Sequence, residues 1–236
     1  MTDTLTAPRT AGSTAPAARD AATRWAVTGG VVAGPLFLAA GVAQGLVRDG
    51  FAFGRNAISQ LALGEAGWVQ TVSFLVTGLL LTGAAWGLRQ VLRGGPGGTW
   101  GPVLVGIFGG SFWVAAGFPA DAGAGFPAGA PDGTVMTGHG AVHMSGGMIG
   151  YLALCAASVV LGRALAARGR TRRWTLASRV VPAVVLAGFT ASAASVLAFT
   201  LAAGLGLLWL ATVTALLAAD AGTDAGTDVG TGAAAG

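Results

Sequence analysis

Two histidines and one aspartate are the side chains of this sequence best suited to metal chemistry. His139 and His143 are four residues apart, so on a helix they share a face, and Asp121 precedes them across the Gly/Pro-rich loop 122–138. Two imidazole nitrogens and a carboxylate oxygen, with one open position, are the ligand pattern of a catalytic zinc. The spacing lacks the glutamate of the HExxH motif, so it supplies no general base. Two hypotheses stay open: Asp121, His139 and His143 bind a divalent metal, or the histidines hydrogen-bond the loop, cap the helix and bind no metal.

A second polar cluster consists of Arg55, Asn56, Ser59 and Gln60, with apolar residues between them and Gly64 after them. This spacing predicts a short helix that lies in the membrane interface and ends at the glycine. We expect the four polar residues to form a binding site, either as a hydrogen-bonding lid over the bundle or as a contact for a lipid headgroup. The alternative is the solvated face of an interfacial helix.

The third cluster is a run of arginines in the segment 163–179. It predicts contact with anionic lipid, at about 1 kcal/mol per basic residue near the leaflet, and the alternative is that the arginines only set the topology. The residues concerned are Arg163, Arg168, Arg170, Arg172 and Arg173. Because the net charge of +4 is concentrated in this one segment, we do not expect the protein to bind nucleic acid.

The composition identifies the solvent for most of the chain as lipid. Charged residues make up 9% of the 236 residues, against about 25% in an ordinary globular protein. Hydrophobic residues make up 53%, and the mean hydropathy is +0.70. A soluble globule of this size could not cover its surface with so few charges. Cys155 is the single cysteine, so no disulfide forms within the chain.

The apolar runs predict an all-α integral membrane bundle of six transmembrane helices within residues 25–219. The stretch 180–219 has no charge; as one helix it would be about 60 Å long, twice the bilayer, so we expect a turn near Ser192–Ser195. The tails, 1–24 and 220–236, are of low complexity and are predicted to be disordered. The six predicted spans are 25–47, 68–88, 100–118, 139–161, 175–194 and 198–219.

The arginines also predict the orientation of the chain. All of them except Arg48 and Arg55 lie in the N-terminal tail and in the loops that share its side of the membrane. The positive-inside rule then places both termini in the cytoplasm, as in a multi-pass protein of the cell membrane.

Small residues within the spans predict where helices approach closely. Glycine pairs at four-residue spacing allow backbone contact, which in lipid replaces the hydrophobic drive between helices. These pairs are Gly30/Gly34, Gly41/Gly45, Gly83/Gly87 and Gly146/Gly150.

Several motifs together resemble an uncharacterised prokaryotic membrane family, the domain of unknown function 998. The resemblance covers about residues 27–218 and implies a six-span architecture, and it implies no activity. It rests on Arg55-Asn56-Ala57-Ile58-Ser59-Gln60-Leu61-Ala62-Leu63-Gly64, on Gly67-Trp68-Val69-Gln70 and Thr77-Gly78-Leu79-Leu80, on Phe118-Pro119-Ala120-Asp121 with His139-Gly140-Ala141-Val142-His143, and on Gly206-Leu207-Leu208-Trp209-Leu210.

We consider three functions. The first is a non-enzymatic membrane protein that binds or organises lipid or a partner protein, favoured because the sequence contains no complete catalytic set. The second is a metal-dependent hydrolase that acts on lipid at the outer leaflet, with Asp121, His139 and His143 as ligands of a divalent metal. The third is a small-solute transporter, against which stands the absence of a mid-span charge.

Overall fold

The computed structural model describes the backbone of residues 15–232 and the side chains of residues 18–220. Within these residues the chain is all-helical and contains no strand, and six helices are long and apolar enough to cross a membrane. The architecture predicted from the apolar runs is therefore confirmed. The helices are α1 (Ala15–Val47), α2 (Gly67–Val91), α3 (Trp100–Gly117), α4 (Gly138–Ala167), α5 (Arg172–Thr190) and α6 (Val196–Gly232).

The first and last helices extend beyond the predicted spans. Residues 15–24 and 220–232, which the sequence analysis assigned to the tails, are helical. The reason is that hydropathy detects the part of a helix that suits lipid, whereas alanine-rich flanks continue the helix by propensity. Residues 1–14 and 233–236 of the predicted tails lie outside the described residues.

The reversal between α5 and α6 is a single 3₁₀ turn, Ala191–Ala193. It falls within the charge-free stretch where a turn was expected, although neither glycine nor proline marks it. The two helices pack against each other on either side of this turn.

Helices that follow one another in sequence pack together, and α6 closes the bundle by packing against α1 and α4 as well as α5. Phenylalanines from three helices meet in the core: the Phe37 ring lies 5.7 Å from Phe74 and 5.1 Å from Phe112. Much of the remaining helix surface is apolar and exposed, as at Leu79, which is 61% exposed. In a chain with so few charges such faces contact the lipid of a bilayer.

Glycines set the close helix contacts, as predicted. A Cβ at Gly34 of α1 would lie 2.9 Å from the Leu207 carbonyl of α6, and one at Gly146 of α4 would lie 2.7 Å from the Val114 side chain of α3. Among the predicted pairs only Gly83 has open space instead of a neighbour. Gly41 and Gly45 contact the loop after α1 rather than another helix.

Candidate functional site

Two loops, residues 48–66 and 118–137, pack together over one end of the bundle, and we call them the cap. Asn56 of the first loop is fully buried. Its Oδ1 accepts a hydrogen bond from the Ala52 amide at 2.9 Å, and its Nδ2 donates to the Gly123 and Ala124 carbonyls of the second loop at 3.5 and 3.4 Å. Asn56 therefore joins the two loops.

Gln60 repeats this arrangement one turn later, within the 3₁₀ turn Ile58–Ala62. Its Oε1 accepts from the Ala57 amide at 3.1 Å, and its Nε2 donates to the Asp121 carbonyl at 3.1 Å. The predicted short helix thus exists, but Asn56 and Gln60 are buried, so the alternative of a solvated helix face is wrong for these two residues.

The other two predicted binding residues have different surroundings. Arg55 is exposed, whereas Ser59 is half-buried and faces the space beneath the cap. The four residues consequently do not form one binding surface, because two of them hold the cap together.

Arg48 is a further cap residue that the sequence analysis used only for orientation. Its guanidinium donates to the Leu61 carbonyl at 2.8 Å and the Leu63 carbonyl at 2.6 Å, and it lies 5.1 Å from the centroid of the Phe126 ring. Such a planar donor fork suits paired carbonyl oxygens and an aromatic face. The sequence indicated only that Arg48 lies at the end of the first span, and not that it holds the cap.

Asp121 caps α4 through Thr137. The carboxylate accepts from the Thr137 amide at 3.1 Å and from the Thr137 hydroxyl at 2.6 Å, and that hydroxyl accepts in turn from the Gly140 amide at 3.1 Å. The hydrogen bonds from Thr137 hold the pKa of Asp121 below its usual range. Gly140 is required here, since a Cβ at this position would collide with the carboxylate.

The two histidines share a helix but not an environment. His143 is 8% exposed, and its Nδ1 lies 2.9 Å from the Phe118 carbonyl. Because a carbonyl only accepts, Nδ1 carries the hydrogen and donates it. His139 is exposed, with its ring 5.5 Å from the Phe118 ring.

The predicted three-ligand arrangement is not assembled. Both Asp121 oxygens bind Thr137, and the His143 Nδ1 binds a backbone carbonyl. Among the side chains of residues 18–220, no group of three His, Cys, Asp or Glu residues is placed to hold a metal ion. Asp121 instead caps the end of the helix through Thr137, and His143 holds the loop at Phe118.

Beneath the cap lies a cavity of about 300 Å³. This volume is at the lower end of the range of about 300–1,000 Å³ for ligand pockets. Its walls come from the six helices α1–α6 and both 3₁₀ turns, and sequence periodicity gave no sign of it. Most of the lining is apolar, and its aromatic members include Phe37, Phe108, Phe112, Tyr151, Phe189 and Phe199.

The cavity extends along α4 from His143, next to the cap, to Tyr151. At 1.5 Å per residue these side chains are separated by about 12 Å along the helix. Gly147 lies between them, and a Cβ there would meet nothing within 4 Å. Met144 and Met148, which are 49% and 48% exposed, form the rim of the cavity on the lipid-facing side of the helix.

The predicted anionic-lipid arginines lie at the opposite end of the bundle. Arg168 donates to the Val91 carbonyl at 3.1 Å, and Arg170 binds the Asp220 carboxylate through Nε at 3.1 Å. The hydrogen bond from Arg170 to Asp220 raises the pKa of that guanidinium. Arg163, Arg172 and Arg173 are exposed.

Comparisons with curated proteins and with solved structures found no match. A family model described as "Protein of unknown function (DUF998)" matches residues 31–221, which include all six membrane-crossing segments in whole or in part, both cap loops and the cavity. In its described residues the chain has six helices that fit a multi-pass membrane protein, and it belongs to the DUF998 family.

Proposed function

We propose that the protein is a non-enzymatic membrane protein that binds one lipid-like amphiphile in the cavity beneath the cap. We also propose that the cap faces the outside of the cell membrane and that both termini are cytoplasmic. The observation that carries the proposal is the cavity itself, an elongated aromatic space inside a bundle that is surrounded by lipid.

The lining of the cavity favours an amphiphile over a purely apolar molecule. The wall around Tyr151 is aromatic: the Tyr151 ring lies 5.7 Å from both Phe108 and Phe199. Ser59 and His143 add polar groups near the cap. A hydrocarbon chain would occupy the aromatic part, and a small polar end would lie beneath the cap.

The methionine rim supports entry from the lipid phase. Met144 and Met148 line the cavity and are also about half exposed on the outer surface of α4. Methionine is unbranched and adapts its shape, so these side chains can move aside for a chain that enters sideways. A lipid would then reach the cavity without leaving the membrane.

The arginine distribution supports the proposed orientation, and it also supports contact with anionic lipid at the cytoplasmic surface. Arg163, Arg172 and Arg173 are exposed and suited to this contact, whereas Arg168 and Arg170 already bind groups of the protein. A reporter fused after residue 236 tests the orientation: cytoplasmic signal is expected, and an outside signal would reverse the assignment.

The experiment for the cavity uses two matched glycine substitutions. Gly147→Leu places a side chain in the cavity, whereas Gly83→Leu places the same side chain in open space on α2, away from the cavity. Each variant is purified in mild detergent beside the wild type, and bound lipid is measured by native mass spectrometry. We expect the wild type and Gly83→Leu to retain one amphiphile per chain and Gly147→Leu to lose it. Equal retention by all three proteins, or by none, would refute the proposal.

A further inference from the structure

Resting on the proposed function, we propose that His143 selects amphiphiles whose polar end is neutral and carries a hydrogen-bond donor. The ligand class is a lipid alcohol, such as a monoacylglycerol or a long-chain alcohol. His143 would be the residue that distinguishes these lipids from esters without a hydroxyl group and from charged phospholipids.

The Phe118 carbonyl fixes the tautomer of His143. Its Nδ1–H donates to the Phe118 carbonyl at 2.9 Å, so in the neutral ring Nε2 is an acceptor without a hydrogen. No hydrogen bond to Nε2 is found among the side chains and backbone of residues 18–220. His143 is 8% exposed, and it lines the cavity. Nε2 is not among the fully buried polar atoms that lack a partner in residues 18–220, so a molecule in the cavity can reach it. A ligand hydroxyl that donates to Nε2 gains a hydrogen bond that a ligand without a donor does not.

The residues that line the cavity favour a ligand without charge. Among the described residues that line the cavity there is no arginine, lysine, aspartate or glutamate. An ionised headgroup buried there would lose its hydration without gaining an opposite charge, which is costly. A hydroxyl group loses much less, and it can donate directly to Nε2.

The other hydroxyl groups that line the cavity do not replace this acceptor. Ser111 already donates to the Phe108 carbonyl at 2.7 Å. Tyr151 lies about 12 Å farther along α4, where Phe189 and Phe199 surround it at 6.2 and 5.7 Å. The remaining hydroxyl groups of the lining, Ser59, Ser192 and Thr200, both donate and accept hydrogen bonds, whereas the Nε2 acceptor of His143 selects a donor. The rest of the ligand lies along the aromatic wall.

The test measures binding of two probes with the same acyl chain to the full-length protein in nanodiscs. The first probe, 1-oleoylglycerol, has hydroxyl donors, and the second, methyl oleate, has none. We expect the wild type to bind 1-oleoylglycerol about five- to tenfold more tightly, the effect of one net hydrogen bond. In His143→Asn the shorter amide retains an N–H for the Phe118 carbonyl but has no acceptor at the Nε2 position, so the preference should disappear. His139→Asn, the same substitution at an exposed histidine that does not line the cavity, is the matched control and should keep it.

The outcomes separate this inference from the proposed function. Failure of the wild type to bind either probe would overturn both. Binding of both probes with equal affinity, or an unchanged preference in His143→Asn, would overturn the role of His143 alone. If His143→Asn does not fold, the affinity of the wild type for 1-oleoylglycerol is compared with its affinity for the same lipid with both hydroxyls methylated. Undiminished affinity for that ether overturns the inference, and a five- to tenfold loss supports it.

Discussion

Replacement of Asn56 by leucine tests whether the cap depends on this buried amide. Leucine has the same number and branching of side-chain heavy atoms, although its methyl groups are bulkier, and the hydrogen bonds of Asn56 to Ala52, Gln60, Gly123 and Ala124 are lost. The Ala52 bond is short at 2.9 Å, and the other three are long at 3.4–3.5 Å, so we count one full bond and three weak ones. Losing these bonds and leaving the half-buried Ala52 N–H without a partner together cost roughly 2–3 kcal/mol of unfolding free energy.

The assay is SDS-induced unfolding in mixed micelles, followed by tryptophan fluorescence, together with limited proteolysis of the loop 118–137. We expect Asn56→Leu to unfold at a lower SDS fraction and to be cut faster in that loop. Arg55→Ala is the matched control: its side chain is exposed, so the free energy should change by less than about 0.5 kcal/mol. Wild-type stability in Asn56→Leu, or an equal loss in Arg55→Ala, would refute the assignment of Asn56 to the cap.

Three further predictions concern helix contact, the α4 cap and the cytoplasmic end. Gly78→Ala should cost about 1–3 kcal/mol of unfolding free energy, because its Cβ would collide with a tryptophan ring of α3; Gly83→Ala, which has open space, should cost nothing, and equal losses would contradict the packing. Asp121→Ala should lower the melting temperature at pH 7. Because the folded pKa of this carboxyl is depressed, its contribution to stability is present above the unfolded pKa of about 3.9 and is lost as the pH falls through the folded pKa. The difference in melting temperature between Asp121→Ala and the wild type should therefore narrow below about pH 4. A difference that stays constant with pH would contradict the role of the ionised carboxylate. A double-mutant cycle of Arg170→Gln and Asp220→Asn should give a favourable coupling energy that shrinks as salt is raised, and a coupling of zero at low salt would argue against this ion pair.

The number of helices and their close contacts could be predicted from the sequence because both are local properties of apolar runs. A charge-free stretch of 40 residues (180–219) can only be two spans, and glycines such as Gly34 and Gly146 mark contacts through their lack of a Cβ. Helix ends were predicted less well, since the alanine-rich flanks of α1 and α6 continue the helix beyond the apolar part.

The site was less predictable because it depends on contacts between residues far apart in sequence. Four-residue spacing placed His139 and His143 on one face, yet the Phe118 carbonyl and the cap bury one ring and leave the other exposed. Asn56 reads as a polar residue of an interfacial helix until the loop at Gly123 covers it. At Gly147 the cavity borders α4, and no neighbouring side chain lies within 4 Å of a Cβ placed there; a single sequence does not reveal such space.

Photocrosslinking is the most direct test of the cavity as a lipid site. A monoacylglycerol with a diazirine in its acyl chain is irradiated with the protein in nanodiscs, and the labelled residues are mapped by mass spectrometry. We expect saturable labelling on the cavity wall of α4, between His143 and Tyr151, that unlabelled 1-oleoylglycerol competes away and that Gly147→Leu abolishes. Labelling spread over lipid-facing residues such as Leu79, without competition and unchanged in Gly147→Leu, would contradict the account.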